Sequence, residues 1–220
     1  MKRFLRNNGL SLVIFGLFAV CEIGLSAVGL HQHNEQRREH DQPTLSYAAY
    51  VESSAFLEAT MENWESEFLQ MFAYVVLTVF LFQKGSAESK SPDAPEAVDR
   101  NPRRAQPRPD APWPVRRGGW ALRVYEHSLS LALFLLFAAS LALHALGGAQ
   151  EQSRLALLHG SPPVSAWAYI ATSQFWFESL QNWQSEFFSI GAMVVLSIFL
   201  RERGSPESKP VDAPHGQTGA

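Results

Sequence analysis

Between Leu10 and Leu30 the chain reads LSLVIFGLFAVCEIGLSAVGL, with Glu22 as its one charge. Three comparable stretches follow: FLQMFAYVVLTVFLF from Phe68 to Phe82, SLSLALFLLFAASLALHALGG from Ser128 to Gly148, and FFSIGAMVVLSIFL from Phe187 to Leu200. A membrane-spanning helix needs about 20 mostly apolar residues at a rise of about 1.5 Å each. The first and third runs meet that length alone. The second and fourth must recruit residues on their N-terminal side, NWESE and NWQSE, which puts Trp64 and Trp183 where an interfacial aromatic belt sits. Four such runs are more than a soluble helical bundle carries. The expected fold is an all-α integral membrane four-helix bundle, with spans at about 10–30, 64–83, 128–148 and 183–200.

A shift of 119 residues aligns the two halves without a gap, and from Asn63 to Lys90 against Asn182 to Lys209 the two are identical at 16 of 28 positions. KGSAESK pairs with RGSPESK beyond the spans. Upstream, His40, Pro43, Ser46, Tyr50, Ser54 and Phe56 match His159, Pro162, Ser165, Tyr169, Ser173 and Phe175, and LSLVIFGLFA pairs with LSLALFLLFA. The expected organisation is two tandem, parallel two-span repeats, 1–90 and 120–209, joined by a linker at 91–119 and followed by a flexible tail at 210–220. Because each repeat has two spans, both halves enter the membrane in the same direction.

Of the 18 lysines and arginines, all but Arg37, Arg38 and Arg154 fall at the N-terminus, in the central stretch from Lys84 to Arg123 (Arg103, Arg104, Arg108, Arg116 and Arg117 among them), or in the tail. By the positive-inside rule both termini and the linker face the cytoplasm. The linker, SPDAPEAVDRNPRRAQPRPDAPWP from Ser91 to Pro114, has the proline and charge content of an unstructured tether. Gly85 and Gly204 stand where helix stops are expected. The stretches 46–63 and 165–182 lack proline and are rich in Tyr, Phe and Trp, so they read as helices that lie on the outer interface or extend the second span of each unit.

A formal charge of −3 argues against a nucleic-acid partner, whose binding face would be basic. The single cysteine, Cys21, excludes an internal disulfide and a cysteine-based zinc cluster, and its apolar surroundings suggest a packed, inert thiol. MKRFLRNN followed by Leu10 to Cys21 has the outline of a signal peptide. The valine before Cys21 does not suit a lipoprotein site, and the counterpart of this run in the second half argues for a retained span.

Stepping every third or fourth residue from Asn63 marks Asn63, Glu67, Gln70, Tyr74 and Thr78 on one helix face; the same steps give Asn182, Glu186, Ser189, Met193 and Ser197. At about 1.5 Å per residue, Glu67, Glu186 and His144 stand about 22–24 Å from the cytoplasmic ends of their runs and Glu22 about 18 Å. Asn63, Trp64, Ser66, Glu67, Asn182, Trp183, Ser185, Glu186, Glu22 and His144 therefore form a candidate polar band in the outer half of the bilayer. Ionisable groups at such depth mark proton or cation pathways. The structural alternative is that Glu67 and Glu186 reach interfacial water and bond the neighbouring Asn, Ser and Trp side chains, fixing helix register. Glu22 has Leu141 as its counterpart and Tyr74 has Met193, so neither serves a mechanism that needs both halves alike. His31, His33 and His40, beside Glu35, Glu39 and Asp41, read as a solvated polar loop. HExxH, GxSxG, GxGxxG and phosphate-loop motifs are absent, and no catalytic, cofactor or metal site is expected.

The phrase NWxSEF, an apolar span and then [KR]GSxESK, present in both halves, resembles an uncharacterised family of bacterial multi-spanning membrane proteins defined as a domain of unknown function. The resemblance implies a bacterial inner-membrane location and brings no activity, ligand or catalytic residue with it. The leading functional expectation is a non-catalytic membrane-embedded protein whose partners are the lipid bilayer and a second copy or another membrane protein. A small proton- or cation-linked transporter or channel using Glu67 and Glu186 is the alternative, and a membrane enzyme ranks last.

Overall fold

The computed structural model describes residues 2–103 and 109–219; Arg104 and Arg108 of the linker lie outside the described residues. Among the described residues there are eight α-helices: α1 (Lys2–Glu39), α2 (Tyr47–Val51), α3 (Ser54–Phe80), α4 (Trp113–Arg117), α5 (Gly119–Glu126), α6 (Ser128–Leu158), α7 (Ala166–Ile170) and α8 (Ser173–Phe199). A 3-10 turn, Ala97–Asp99, lies between α3 and α4, and no strand occurs among the described residues. The fold is all-α. Among the described residues two helices, Arg3–Glu39 and Ser128–Leu158, are long and apolar enough to cross a membrane. The helices expected as spans two and four begin at Ser54 and Ser173, so the aromatic stretches ahead of the NWxSEF phrases are largely continuous with them.

The local chemistry that makes these elements recurs at the 119-residue spacing. Each long first helix ends in a left-handed residue, Asp41 (φ 53) after α1 and Gly160 (φ 71) after α6. The next amide then closes a wide turn, Gln42 N–H to Arg37 O at 2.8 Å and Ser161 N–H to Ala156 O at 2.9 Å. Asn34 exchanges two hydrogen bonds with the backbone of Leu45, and Ser153 does the same with Val164. Ser46 caps α2 and Ser165 caps α7 by accepting from the third residue onward. Ser53 and Thr172 then start α3 and α8: each hydroxyl donates to a tyrosine carbonyl behind it at 2.6 Å and accepts from a phenylalanine amide ahead of it at 3.3 Å.

The GSxESK phrases are turns. Gly85 and Gly204 have φ near 89° and 88°, a conformation glycine alone adopts without strain, and they come five residues after their helices have ended. Ser86 and Ser205 accept from the amides of Glu88 and Glu207, and Ser89 and Ser208 accept from those of Gln83 and Glu202.

The chain forms two compact units, residues 1–61 with 142–175, and residues 62–141 with 176–220. In the first, the buried side chains include Ser26, His33, Tyr50, Thr60, His144, Ala145, Ala149, Tyr169 and Phe175. Cys21, expected to be packed, is exposed on α1, as are Val20 and Ile23 near it.

In the second unit, Leu122, Glu65, Ser66, Gln70, Ser86, Ser140, Ser179, Ser197 and Lys209 are buried. Lys209 is 1% exposed, and its ammonium donates to four backbone carbonyls, those of Gly85, Pro214, His215 and Gln217. Burial, with help from Arg201, lowers its pKa below 10.5. The tail is thereby tied down: Gly85 N–H donates to Thr218 Oγ1 and Gly219 N–H to Ser86 O, both at 2.9 Å. Lys90, at the equivalent position, instead pairs with Asp99 and stands over the Phe82 ring. At the start of the linker Glu96 accepts from the amide of Ser91 at 2.7 Å, and Asp99 from that of Glu96 at 3.0 Å. The described part of 91–119 thus includes short hydrogen-bonded turns and the helix α4 as well as irregular chain.

Candidate functional site

In the first unit, α6 carries the sequence His144-Ala145-Leu146-Gly147-Gly148-Ala149. His144 is completely buried. The two glycines, one turn on, let other elements approach closely. A Cβ on Gly147 would stand 2.9 Å from the backbone nitrogen of Glu58 on α3. A Cβ on Gly148 would overlap the ring of Tyr169, which α7 holds in place and which is itself completely buried. Small residues at such crossings let backbones and rings approach closely.

The Tyr169 hydroxyl donates to Glu58 Oε1 at 3.0 Å. The His144 ring stacks on Phe175, with centroids 4.9 Å apart and planes 25° apart. The edge of Tyr169 faces the same ring at 6.4 Å and 82°, and Tyr169 and Phe175 meet at 5.7 Å and 76°. A ring nitrogen of His144 and a carboxylate oxygen of half-buried Glu58 lie within 4.8 Å of each other. Imidazole, carboxylate and phenol thus converge in a space walled by aromatic rings. Such a group can share a proton or hold a cation.

Of the residues marked from the sequence, His144 and Glu22 lie in this unit. Glu22 is half-buried and accepts from Thr60 Oγ1 at 3.5 Å. The histidines at the end of α1 separate: His31 pairs with Glu35 at 3.1 Å, His33 is buried beside Tyr50 rather than solvated, and His40 bonds the carbonyl of Gln36.

The other marked residues lie in the second unit. Asn63, Glu67 and Ser185 are exposed; Trp64, Asn182, Trp183 and Glu186 are half-buried; Ser66 is buried. Ser66 and Ser185 each bond the carbonyl three residues back. Asn182 donates to Glu62 Oε1 at 2.6 Å, and Gln70 donates to the backbone carbonyl of Glu186 at 3.3 Å. Trp183 donates to Glu65 Oε1 at 3.3 Å, while its ring packs edge-on against Phe137 and Trp176. Trp64 packs edge-on against Phe68 at 6.3 Å.

The wholly buried carboxylate of the motif is therefore Glu65, the variable position of NWxSEF, and sequence reasoning passed over it. It also passed over Glu58 and Tyr169. The available signal for the latter two was the His-x-x-Gly-Gly pattern together with the Tyr50 and Tyr169 match. A cleft of about 730 Å³ in the second unit is lined by Tyr74, Glu88, Lys90, Glu96, Asp99 and Thr218; Tyr74 bonds Glu88, Lys90 pairs with Asp99, and Glu96 accepts from the Ser91 amide.

A family model described as a domain of unknown function, DUF6766, matches residues 1–220. The chain belongs to the DUF6766 family. No curated protein and no solved structure matches this DUF6766 chain. The family description names no ligand or reaction, so the functional reading rests on side-chain geometry and burial.

Proposed function

We propose that this is an integral membrane protein of four spans, built from two tandem two-span hairpins with both ends of the chain on the cytoplasmic side of a bacterial inner membrane. Its role is non-catalytic: it is embedded in lipid and assembles with a second copy or another membrane protein. The observation that carries this reading is an inverted distribution of polarity. Among the described residues the buried polar side chains are twice as numerous as the buried hydrophobic ones, while Leu10, Phe15, Val28, Leu129 and Phe188 are all more than 60% exposed. Only 6% of the most apolar window of the first long helix, and 17% of that of the other, is buried. The core helix of a soluble protein would be mostly covered. Apolar surface of this extent needs lipid or a partner.

The tandem arrangement is supported by the 119-residue identity and by the matched caps and turns at both copies. Within the second unit, the bonds from Asn182 to Glu62 and from Trp183 to Glu65 favour a latch that fixes helix register over a gate. The test is alkaline carbonate extraction of membranes from expressing cells, combined with labelling of single cysteines from outside in a Cys21→Ser background. Retention in the membrane, with labelling at positions 41 and 160 and none at 101 or 215, is the expected result. Release into the soluble fraction would end the membrane reading. Proteoliposomes bearing the native chain or the Glu67→Gln/Glu186→Gln double variant should show the same ion and proton flux as empty vesicles. A flux lost in the folded double variant would replace the latch with transport.

A further inference from the structure

We propose that His144 and Glu58 form a binding site for a divalent transition-metal ion of the Zn²⁺ type, with Tyr169 as a positioning residue. The chemistry of the donors fits. A neutral imidazole is the commonest protein ligand for such ions, and a carboxylate oxygen is its frequent companion. Ligand bonds of about 2.0–2.2 Å on each side bring a ring nitrogen and a carboxylate oxygen to within roughly 4 Å of one another, so the observed separation of at most 4.8 Å closes with a small side-chain adjustment. Two protein ligands leave positions on the ion for water or further oxygen donors.

The surroundings are those of a built site. His144 cannot swing away, because Phe175 covers one face of its ring and Tyr169 stands edge-on to it. The Tyr169 hydroxyl donates to the Glu58 carboxylate at 3.0 Å and so restrains it. That is the outer-shell arrangement that orients metal ligands and raises their affinity.

The packing does not demand this pair. The first half of the chain repeats the close approach of a tyrosine to a glycine, Tyr50 to Gly29, just as Tyr169 meets Gly148. Yet 119 residues from His144 stands Leu25, and 119 residues from Glu58 stands Phe177. The tyrosine–glycine contact is scaffold shared by both halves. At these two positions the other half has apolar residues, and, on the membrane reading proposed above, ionisable groups within the helices are costly enough to signal a use.

The experiment is Zn²⁺ titration of the full-length chain in detergent by calorimetry, with metal content measured on the same samples. The native chain should bind one ion saturably. Glu58→Gln, which keeps the size of the side chain and an acceptor for Tyr169, should lose that binding, as should His144→Gln. Tyr169→Phe should weaken it on the order of 10-fold. His31→Ala, at the exposed His31–Glu35 pair, should leave it unchanged. Melting temperatures of the metal-free variants check folding, and Glu58→Gln decides the question if His144→Gln fails to fold. Absence of saturable binding in the native chain, or equal binding by native chain and Glu58→Gln, would overturn the assignment. Binding lost only in His31→Ala would do the same.

Discussion

The indole nitrogen of Trp183 donates to the carboxylate of Glu65 across 3.3 Å, and Glu65 has no solvent exposure. A carboxylate removed from water depends on donors of this kind, because desolvation without them is strongly unfavourable. The tryptophan of the repeated motif thus serves a buried acid as well as the aromatic packing against Phe137 and Trp176.

Trp183→Phe keeps a ring in that packing and deletes the donor. Its unfolding free energy in detergent should fall by about 1–3 kcal/mol, the usual cost of depriving a buried polar group of a hydrogen bond. Glu65→Gln, which still presents an acceptor oxygen, should cost less. Denaturant titration followed by tryptophan fluorescence for Glu65→Gln and by circular dichroism for both would measure this. A Trp183→Phe variant as stable as the native chain would mean the bond contributes nothing.

The two tyrosine–glycine contacts differ in a way that double variants can read. A Cβ on Gly29 would overlap the hydroxyl of Tyr50, with the ring carbons at 3.1 Å and beyond, whereas a Cβ on Gly148 would overlap the Tyr169 ring itself. Each Gly→Ala change should cost about 1–3 kcal/mol by overpacking. Adding Tyr50→Phe should recover most of the loss at Gly29. Adding Tyr169→Phe should recover none at Gly148, since the ring still collides and the bond to Glu58 is gone. Thermal melts of the four single and two double variants test this.

Lys209 and Lys90 occupy equivalent places in the repeated phrase but not equivalent surroundings. Lys209→Met removes the donor shared by four carbonyls and should loosen the tail. A loss of about 1–3 kcal/mol in local stability corresponds to faster amide exchange at Gly85 and Gly219, whose N–H groups tie the tail to the turn. Lys90→Met should leave both amides protected. Equal exchange in the two variants would show that the carbonyl cage does not hold the tail.

Asp99 accepts from Lys90 and from the Glu96 amide, and these bonds, the lysine's first, lower its pKa below 3.8. A carboxyl whose folded pKa is depressed adds stability that is present above its unfolded value and is lost as pH falls through the folded one. The Ala97–Asp99 turn should therefore persist at neutral pH and loosen only below about pH 3.8. Carbon NMR titration of the Asp99 carboxyl would follow it, and Lys90→Met should move the midpoint upward. A midpoint unchanged by that substitution would remove the ammonium as the cause.

Much of the local structure was legible in the sequence because its causes are local. The glycines and serines of the GSxESK turns act over two to six residues, so residue type and spacing specify them; the left-handed Asp41 and Gly160 and the Ser and Thr caps are equally local but were not picked out. The long apolar helices follow from composition, and the correspondence of the halves from identity alone. The inward face of α3 was not legible. Counting from Asn63 selects Gln70, which is buried, but also Asn63 and Glu67, which are exposed, and it misses Thr60, Glu65 and Ser66, which are buried. The C-terminal part of that helix is apolar on nearly every side, so its polarity pattern does not fix its rotation; only the helices packed against it do.

Residue order is enough to dictate an all-α chain with apolar helices, their caps and turns, and a duplicated local pattern, since those depend on neighbours in the chain and on the hydrophobic effect. Which charges meet is settled by packing in three dimensions. Glu58 and Tyr169 are 111 residues apart and Trp183 and Glu65 are 118 apart, pairs that periodicity and composition do not encode. The first forms because Gly147 and Gly148 let α3 and Tyr169 approach α6 closely, and in both a buried or half-buried carboxylate takes the donor that packing brings within reach.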